Sequence, residues 1–282
     1  MNKVVGFLCA WASEDWVGPC IKNALRYVDD LWVVVSYHHP DMQDLEDKTA
    51  WIVAEAAKEY PQVHISDGWK NDNPNVEPDV FKCSILNHMA KRTSTGDTIV
   101  ICDVDEFYGI KGIQAIKDFH QSNYDAACVR GRYYCINGQL CVVNPRMERI
   151  FKKPSGFRFI PTQQLKPKPK NPAPARITMH HYSMLLHPEL KRRYWRHSPI
   201  GDKLMQQIKL DWLDRIYMNW DVKNEAFWKD ENRRVTGHSG FWINDGMTEK
   251  KGGGLIPHEG AHPREVPKAF LQMPDFRELW RK

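Results

Sequence analysis

The sequence predicts an α/β fold, a mainly parallel central sheet with flanking helices, followed by a helical C-terminal extension. Three observations carry this. Apolar runs of strand length alternate with helical periodicities through the first half of the chain, the pattern of repeated β-α-β units. One run, Ile99-Val100-Ile101-Cys102, ends in Asp103-Val104-Asp105-Glu106-Phe107, so a strand delivers carboxylates to its end. Beyond Ser183 strand-like runs give way to helical spacing.

The elements follow in order. Residues 4–10 read as a buried strand, and 15–27 as a helix with Ile21, Ala24, Leu25 and Val28 on one side. Residues 31–35 form a second strand. Leu45, Thr49, Ile52, Val53, Ala56, Ala57 and Tyr60 repeat at helical spacing until Pro61 stops them, and 63–65 is a short third strand. A loop over 66–78 leads to a helix over 80–92, and Gly96-Asp97 turns the chain into the strand that delivers Asp103 and Asp105 at its end. A helix over 112–120 and a strand over 126–129 come next. Runs at 133–136 and 139–143 flank Asn137-Gly138, a strong two-residue hairpin signal because both residues tolerate positive φ. Residues 149–153 add a strand, and 161–174, with Lys166-Pro-Lys-Pro-Lys170, read as an exposed, extended basic loop. A returning strand is expected over 176–182, then helices over 188–197 and 202–220, a glycine-rich loop containing Gly252-Gly253-Gly254, and a short helix over 275–280.

At 282 residues and 42% hydrophobic content the chain has the size of one large α/β domain or a domain with an extension. No run approaches the roughly 18 to 20 apolar residues of a membrane span. Trp11, Glu14 and Asp15 follow the first apolar run too soon for a secretory pattern, so a cytoplasmic location is expected. Seven cysteines without a C-x-x-C pair read as reduced core thiols, and no structural zinc is expected from them. The net charge of +5 is uneven: residues 146–215 hold 16 Lys/Arg against 5 Asp/Glu, a surplus of 11, with Tyr182, Tyr194, Trp195 and Trp212 interleaved. Such a stretch is either a solvated basic face or a surface for a polyanion.

Side chains two apart in a strand share a face, so Asp103 and Asp105 converge just past the sheet edge. Mg²⁺ or Mn²⁺ takes one or two carboxylates and leaves positions for phosphate oxygens, whereas the bland reading is a polar strand end. Two such carboxylates repel without a cation, so replacing either is expected to leave the fold intact.

Further segments line up in order: Glu14-Asp15 after the first strand, Val28-Asp29-Asp30 before the second, Phe81-Lys82-Cys83-Ser84, the D-x-D-E-F run, Glu148-Arg149-Ile150-Phe151-Lys152, and Met179-His180-His181-Tyr182-Ser183. In this order they resemble a GT-A glycosyltransferase of the family-2-like branch. The resemblance implies a Rossmann-like nucleotide-sugar-binding and catalytic core over residues 1–183 and a helical lobe over 184–282. It implies a UDP-sugar or similar donor held by Ala10, Glu14, Lys82, Asp103, Val104 and Asp105, and Mn²⁺ or Mg²⁺ held by Asp103 and Asp105. His181 is the late metal ligand, with His180 as fallback; an imidazole there leans towards Mn²⁺. The alternative for His181 is a hydrogen-bonded core histidine, and for Lys82 a solvated helix lysine.

Two stretches depart from the pattern. Ser36-Tyr37-His38-His39-Pro40-Asp41 stands where an acidic stretch often contacts the base, which leaves the donor open. Pro161-Thr162-Gln163-Gln164 stands where many inverting members carry a carboxylate, so the remaining candidates for a general base are Glu148 and Asp202. A retaining enzyme would need neither. The reading is therefore a metal-dependent hexosyl- or pentosyltransferase. Its expected acceptor is a hydroxymethylated base in DNA, gripped by Lys166, Lys168, Lys170, Lys191, Arg192 and Arg193. The alternatives are a transferase acting on a surface polysaccharide or lipid-linked sugar, and a non-catalytic nucleic-acid-binding protein on the same scaffold. A nucleotidyltransferase is disfavoured because no glycine-rich phosphate loop follows the first strand. Oligomeric state is not legible.

Overall fold

A computed structural model describes residues 2–153, 156–160, 164–166, 168–186, 188–197, 207–208, 210–236 and 256–281. Its centre is a mixed sheet in the order β3-β2-β1-β4-β7-β6-β10-β5, formed by β1 (Val4–Ala10), β2 (Asp30–Val35), β3 (Val63–Ile65), β4 (Thr98–Asp103), β5 (Glu106–Tyr108), β6 (Ala126–Tyr134), β7 (Leu140–Lys152) and β10 (Pro172–His181). The β1–β2, β1–β4, β2–β3 and β6–β10 pairs are parallel, while β7 runs antiparallel to both β4 and β6. It follows that β1, β2, β3, β4, β6 and β10 all point the same way. The α/β, GT-A-like expectation agrees with this architecture.

Helices α1 (Glu14–Ala24), α2 (Thr49–Glu59), α3 (Pro78–Ala90) and α4 (Ile110–Gln121) flank the sheet. One apolar cluster gathers Leu8, Val17, Ile21, Val33, Val53, Val100, Ile113 and Ile116; another gathers Phe7, Val34, Ile85, Leu86, Met89, Ile99 and Ile101. Neighbouring β1 residues Phe7 and Leu8 fall into different clusters, as strand alternation requires. A third cluster joins Trp212, Leu213, Ile216, Tyr217 and Trp220 to Tyr133, Ile136, Met184 and Trp280. Cys9, Cys20, Cys83, Cys102, Cys135 and Cys141 are buried and none of the seven cysteines is in a disulfide; burial pushes Cys9 and Cys102 up to about 12.

Several local expectations are corrected. The acidic run is two strands: β4 stops at Asp103, Val104-Asp105 turn, and Glu106–Tyr108 doubles back antiparallel to β10. The runs at 139–143 and 149–153 are one strand, β7, and its hairpin with β6 closes through residues 135–139. Gly138 is not at positive φ; a Cβ there would stand 3.2 Å from the Leu271 carbonyl oxygen, so glycine serves a close approach to α7 (Lys268–Leu271), which comes after α5 (Pro188–His197) and α6 (Glu225–Thr236). The basic loop is partly strand: β9 (Gln164–Lys166) pairs β8 (Arg158–Ile160), and β10 begins at Pro172. Lastly, the second C-terminal helix is π-helical over Trp212–Ile216, and residues 275–280 hold a 3₁₀ turn, Phe276–Trp280. The short β11 (Ile256–Pro257) pairs β7. Asp202, residues 252–254 and residues 161–163 lie outside the described residues. Among the described residues no helix is long and apolar enough to cross a membrane.

Candidate functional site

The pocket lies where β1, β2, β4 and β10 end, the position that open α/β sheets offer a ligand. After β1 the chain turns sharply: Ala12 sits at φ +48°, a region costly for a residue with a Cβ. The turn is held by Ser13 Oγ donating to the Trp11 carbonyl at 2.6 Å and Ser13 N–H donating to Thr49 Oγ1 at 2.8 Å. Trp11 and Ser13, on either side of the strained residue, both line the pocket.

Asp103 is the last residue of β4. Its Oδ1 accepts from Lys82 Nζ of α3, and its Oδ2 accepts from Arg149 Nη2 of β7 at 2.9 Å. That Nη2 also reaches Glu106 Oε1 at 2.5 Å. Lys82, Arg149 and Glu106 are all buried, so two cations and two anions compensate each other in a low dielectric. Burial alone would raise the Asp103 carboxyl, but Lys82 and Arg149 outweigh it and hold the group far below the usual range. Lys82, penalised by burial, is in turn held above its ordinary value by Asp103.

Asp105 sits in the turn, and its Oδ2 is 3.0 Å from His181 Nε2 at the end of β10. Burial would raise this carboxyl too; His181 outweighs it, and the group titrates below its ordinary value. His181 Nδ1 is buried without a hydrogen-bond partner. His180, one residue earlier, faces away towards Tyr134 and two further histidines. Asp105 and His181 thus converge, whereas Asp103 is not gathered with them into a three-ligand group among the described residues.

The other sequence candidates divide. Val104 and Lys82 line the pocket. Ala10 is buried in the core, and Glu14 is exposed at the start of α1, its Oε2 accepting from Lys48 N–H at 3.3 Å; neither lines the pocket. Glu148 is exposed on β7 beside inward-facing Arg149. Lys191 lines the pocket rim with its Nζ over the Trp195 ring. Arg192 pairs with Asp214 at 2.9 Å, and Arg193 pairs with Glu189 at 2.8 Å and with Asp44. The like charge of that helix is therefore relieved from within the chain. Lys166, Lys168 and Lys170 are exposed.

Residues named from sequence only within longer stretches, and not as site candidates, complete the pocket. Half-buried His38, just after β2, encloses its Nε2 without a partner; desolvation and the nearby Lys82 push its pKa down to about 4. Tyr194 of α5 donates to Asp79 Oδ1 at 2.5 Å. Trp11, directly after β1, and His38, three residues past β2, are findable from sequence by their place beyond parallel strand ends; Tyr194 gives no such signal.

No protein-family model and no curated protein matches the sequence. Among solved structures, the chain is similar to glucosyl-3-phosphoglycerate synthase from Mycobacterium tuberculosis, described in complex with Mn²⁺, UDP and phosphoglyceric acid, at 16% identity and TM-score 0.31 over 47% of this chain and 43% of that one. The chain thus spans under half of that enzyme's length. It is also similar to a glucose-1-phosphate thymidylyltransferase from Bacillus anthracis (10% identity, TM-score 0.31, 77% of this chain and 85% of that one). A third is 4-diphosphocytidyl-2C-methyl-D-erythritol synthase from Anaerococcus prevotii (8%, TM-score 0.31, 83% and 96%).

Proposed function

We propose that this chain is a divalent-metal-dependent glycosyltransferase that moves a sugar from a nucleotide-sugar donor to a hydroxyl acceptor. One observation carries the reading: Asp103, Asp105, His181 and Lys82, named from a single motif order, meet in one pocket at the carboxyl ends of parallel strands. The residues present fit a cation. His181 Nε2 and Asp105 Oδ2 point at each other across 3.0 Å, where only a proton now joins them, and both are largely buried. Asp105 and His181 would hold Mn²⁺ or Mg²⁺, which supplies charge neutralisation to a diphosphate leaving group when bound.

The chain's own residues do the rest. Lys82 and Arg149 fix the Asp103 carboxylate in its ionised form and orientation, and Lys82 brings a buried positive charge to the pocket wall for phosphate oxygens. Trp11, with Tyr37 edge-on at 5.4 Å, offers an aromatic face to a base. Donor hydrolysis without acceptor provides the test. A panel of nucleotide sugars with Mn²⁺ should show release of nucleoside diphosphate that a chelator stops and Asp105→Asn lacks. Turnover indifferent to both would sink the reading.

For the acceptor we retain a hydroxymethylated base in DNA, supported by exposed Lys166, Lys168 and Lys170. The internal pairing of Arg192 and Arg193 favours the second reading, a polysaccharide or lipid-linked sugar. Phosphate contacts release counterions, so DNA binding must weaken steeply with salt, and less steeply after Lys166, Lys168 and Lys170 are changed to Gln. Efficient transfer to a saccharide with no DNA binding at low salt would decide for the second.

A further inference from the structure

On the opposite face of β10 from His181, three imidazoles meet. His180 comes from the strand, and His258 and His262 from the segment after β11, so two parts of the chain far apart in sequence supply one cluster. Each offers a nitrogen within 4.8 Å of the others, and ring centroids stand 4.4, 5.7 and 6.2 Å apart. Cysteine spacing speaks against a thiolate zinc site, but it is silent about imidazoles. We propose that His180, His258 and His262 form a second metal site, separate from the Asp105–His181 pair, for a borderline divalent transition metal of which Zn²⁺ is the representative.

Two buried atoms make the case beyond proximity. The Nε2 atoms of His258 and His262 have no hydrogen-bond partner among the described residues, an unusual state for buried polar nitrogen. An outer layer is already present: the Tyr134 hydroxyl lies 2.8 Å from His180 Nδ1, and the Tyr182 hydroxyl 2.7 Å from His262 Nδ1. With Nδ1–H donated to these oxygens, both rings keep the lone pair on Nε2. Bonds of about 2.0 to 2.1 Å place tetrahedral ligand nitrogens about 3.3 Å apart, so the cluster has to tighten by roughly an ångström.

Arg132 opposes this and defines the sharpest test. Its Nη1 donates to His258 Nδ1 at 2.9 Å and to the Glu259 carbonyl at 2.9 Å. A guanidinium only donates, so His258 Nδ1 holds the lone pair and Nε2 carries a proton without an acceptor. Metal binding requires Arg132 to release the ring while keeping Glu259, and in the metal-free chain the guanidinium is the resident cation of this cluster. Filled, the site would tie the segment around 258–262 to the sheet behind the candidate donor pocket.

The experiment uses the full, untagged chain stripped with a chelator. Zn²⁺ is titrated against a chromophoric competitor, and Co²⁺ is added separately to read the visible spectrum of a nitrogen-rich, low-coordinate site. One equivalent of Zn²⁺ should bind and raise Tm. His258→Ala and His262→Ala should each weaken binding ten-fold or more, Asp105→Asn should leave it unchanged, and Arg132→Met should bind at least as tightly as the parent. Far-UV circular dichroism of each variant reports folding, and two separate histidine variants guard against one failing to fold. No stoichiometric binding, retention of binding in both folded histidine variants, loss in Asp105→Asn, or weaker binding in Arg132→Met would each overturn the assignment.

Discussion

Asp103 and Asp105, two residues apart, face different partners, and that separates their substitutions. Asp103 compensates buried Lys82 and shares Arg149 with Glu106, so Asp103→Ala strips the carboxylate from Lys82 and one of two from Arg149 and should cost about 3 to 5 kcal/mol of stability. The sequence-level expectation of an intact fold rested on repulsion between the two carboxylates, and these cations remove that repulsion's dominance. Asp105→Asn keeps a polar group against His181 and should unfold within about 1 kcal/mol of the parent while losing metal-dependent turnover. Urea denaturation of both variants checks the contrast; equal destabilisation would contradict it. Asp103, Asp105, Lys82 and His181 were legible because a strand end and a motif order name them. Arg149 was visible only as part of a segment, since nothing local tells that β7 aims it at Asp103 from 46 residues away.

At the scale of elements, β10 does most to shape the site. Alternation turns His181 to Asp105 and His180 to Tyr134, so adjacent substitutions should have unrelated effects. His181→Ala should weaken metal-dependent donor binding about ten-fold or more; unchanged binding would return it to the core-histidine reading. Helix α4 crosses this strand at Gly112, where a Cβ would stand 2.9 Å from the Thr178 carbonyl oxygen and 3.3 Å from Tyr108. Backbone cannot yield as a flexible side chain can, so Gly112→Ala should lower stability by about 1 to 3 kcal/mol, read as a fall in Tm. Most strands and helices were legible from periodicity, and their bounds less so. The break after Asp103 was hidden because Val104 and Phe107 keep the run apolar while pairing with β10 bends it. Asn137-Gly138 signalled a hairpin correctly but not its loop, whose shape answers to α7 rather than to turn propensity.

For the whole molecule, pH sums what single residues contribute. His38 and His258 are pushed down to about 4 and His180 to about 3, against an ordinary value near 6.5, so the unfolded chain binds these protons first. Stability from their neutral forms is complete above about pH 6.5 and is lost as pH falls towards 4. Asp103 and Asp105, both depressed, add a loss of the same sign below the ordinary carboxylate range; Glu106, raised by burial, works the other way. Tm should therefore drop between pH 7 and 5 with an uptake of more than one proton on unfolding. A flat profile, or one that rises on acidification, would show that these rings stay in contact with water. None of this was visible in composition, because a histidine count does not say which rings the sheet encloses.

The seven thiols, none of them in a disulfide, give the chain a built-in clock. A thiol reacts as thiolate, and that of Cys102 is enclosed and pushed up to about 12, so alkylating reagents have no target there until the sheet parts. Pulsed labelling read by mass spectrometry would then time the opening of β4 separately from half-buried Cys128 on β6.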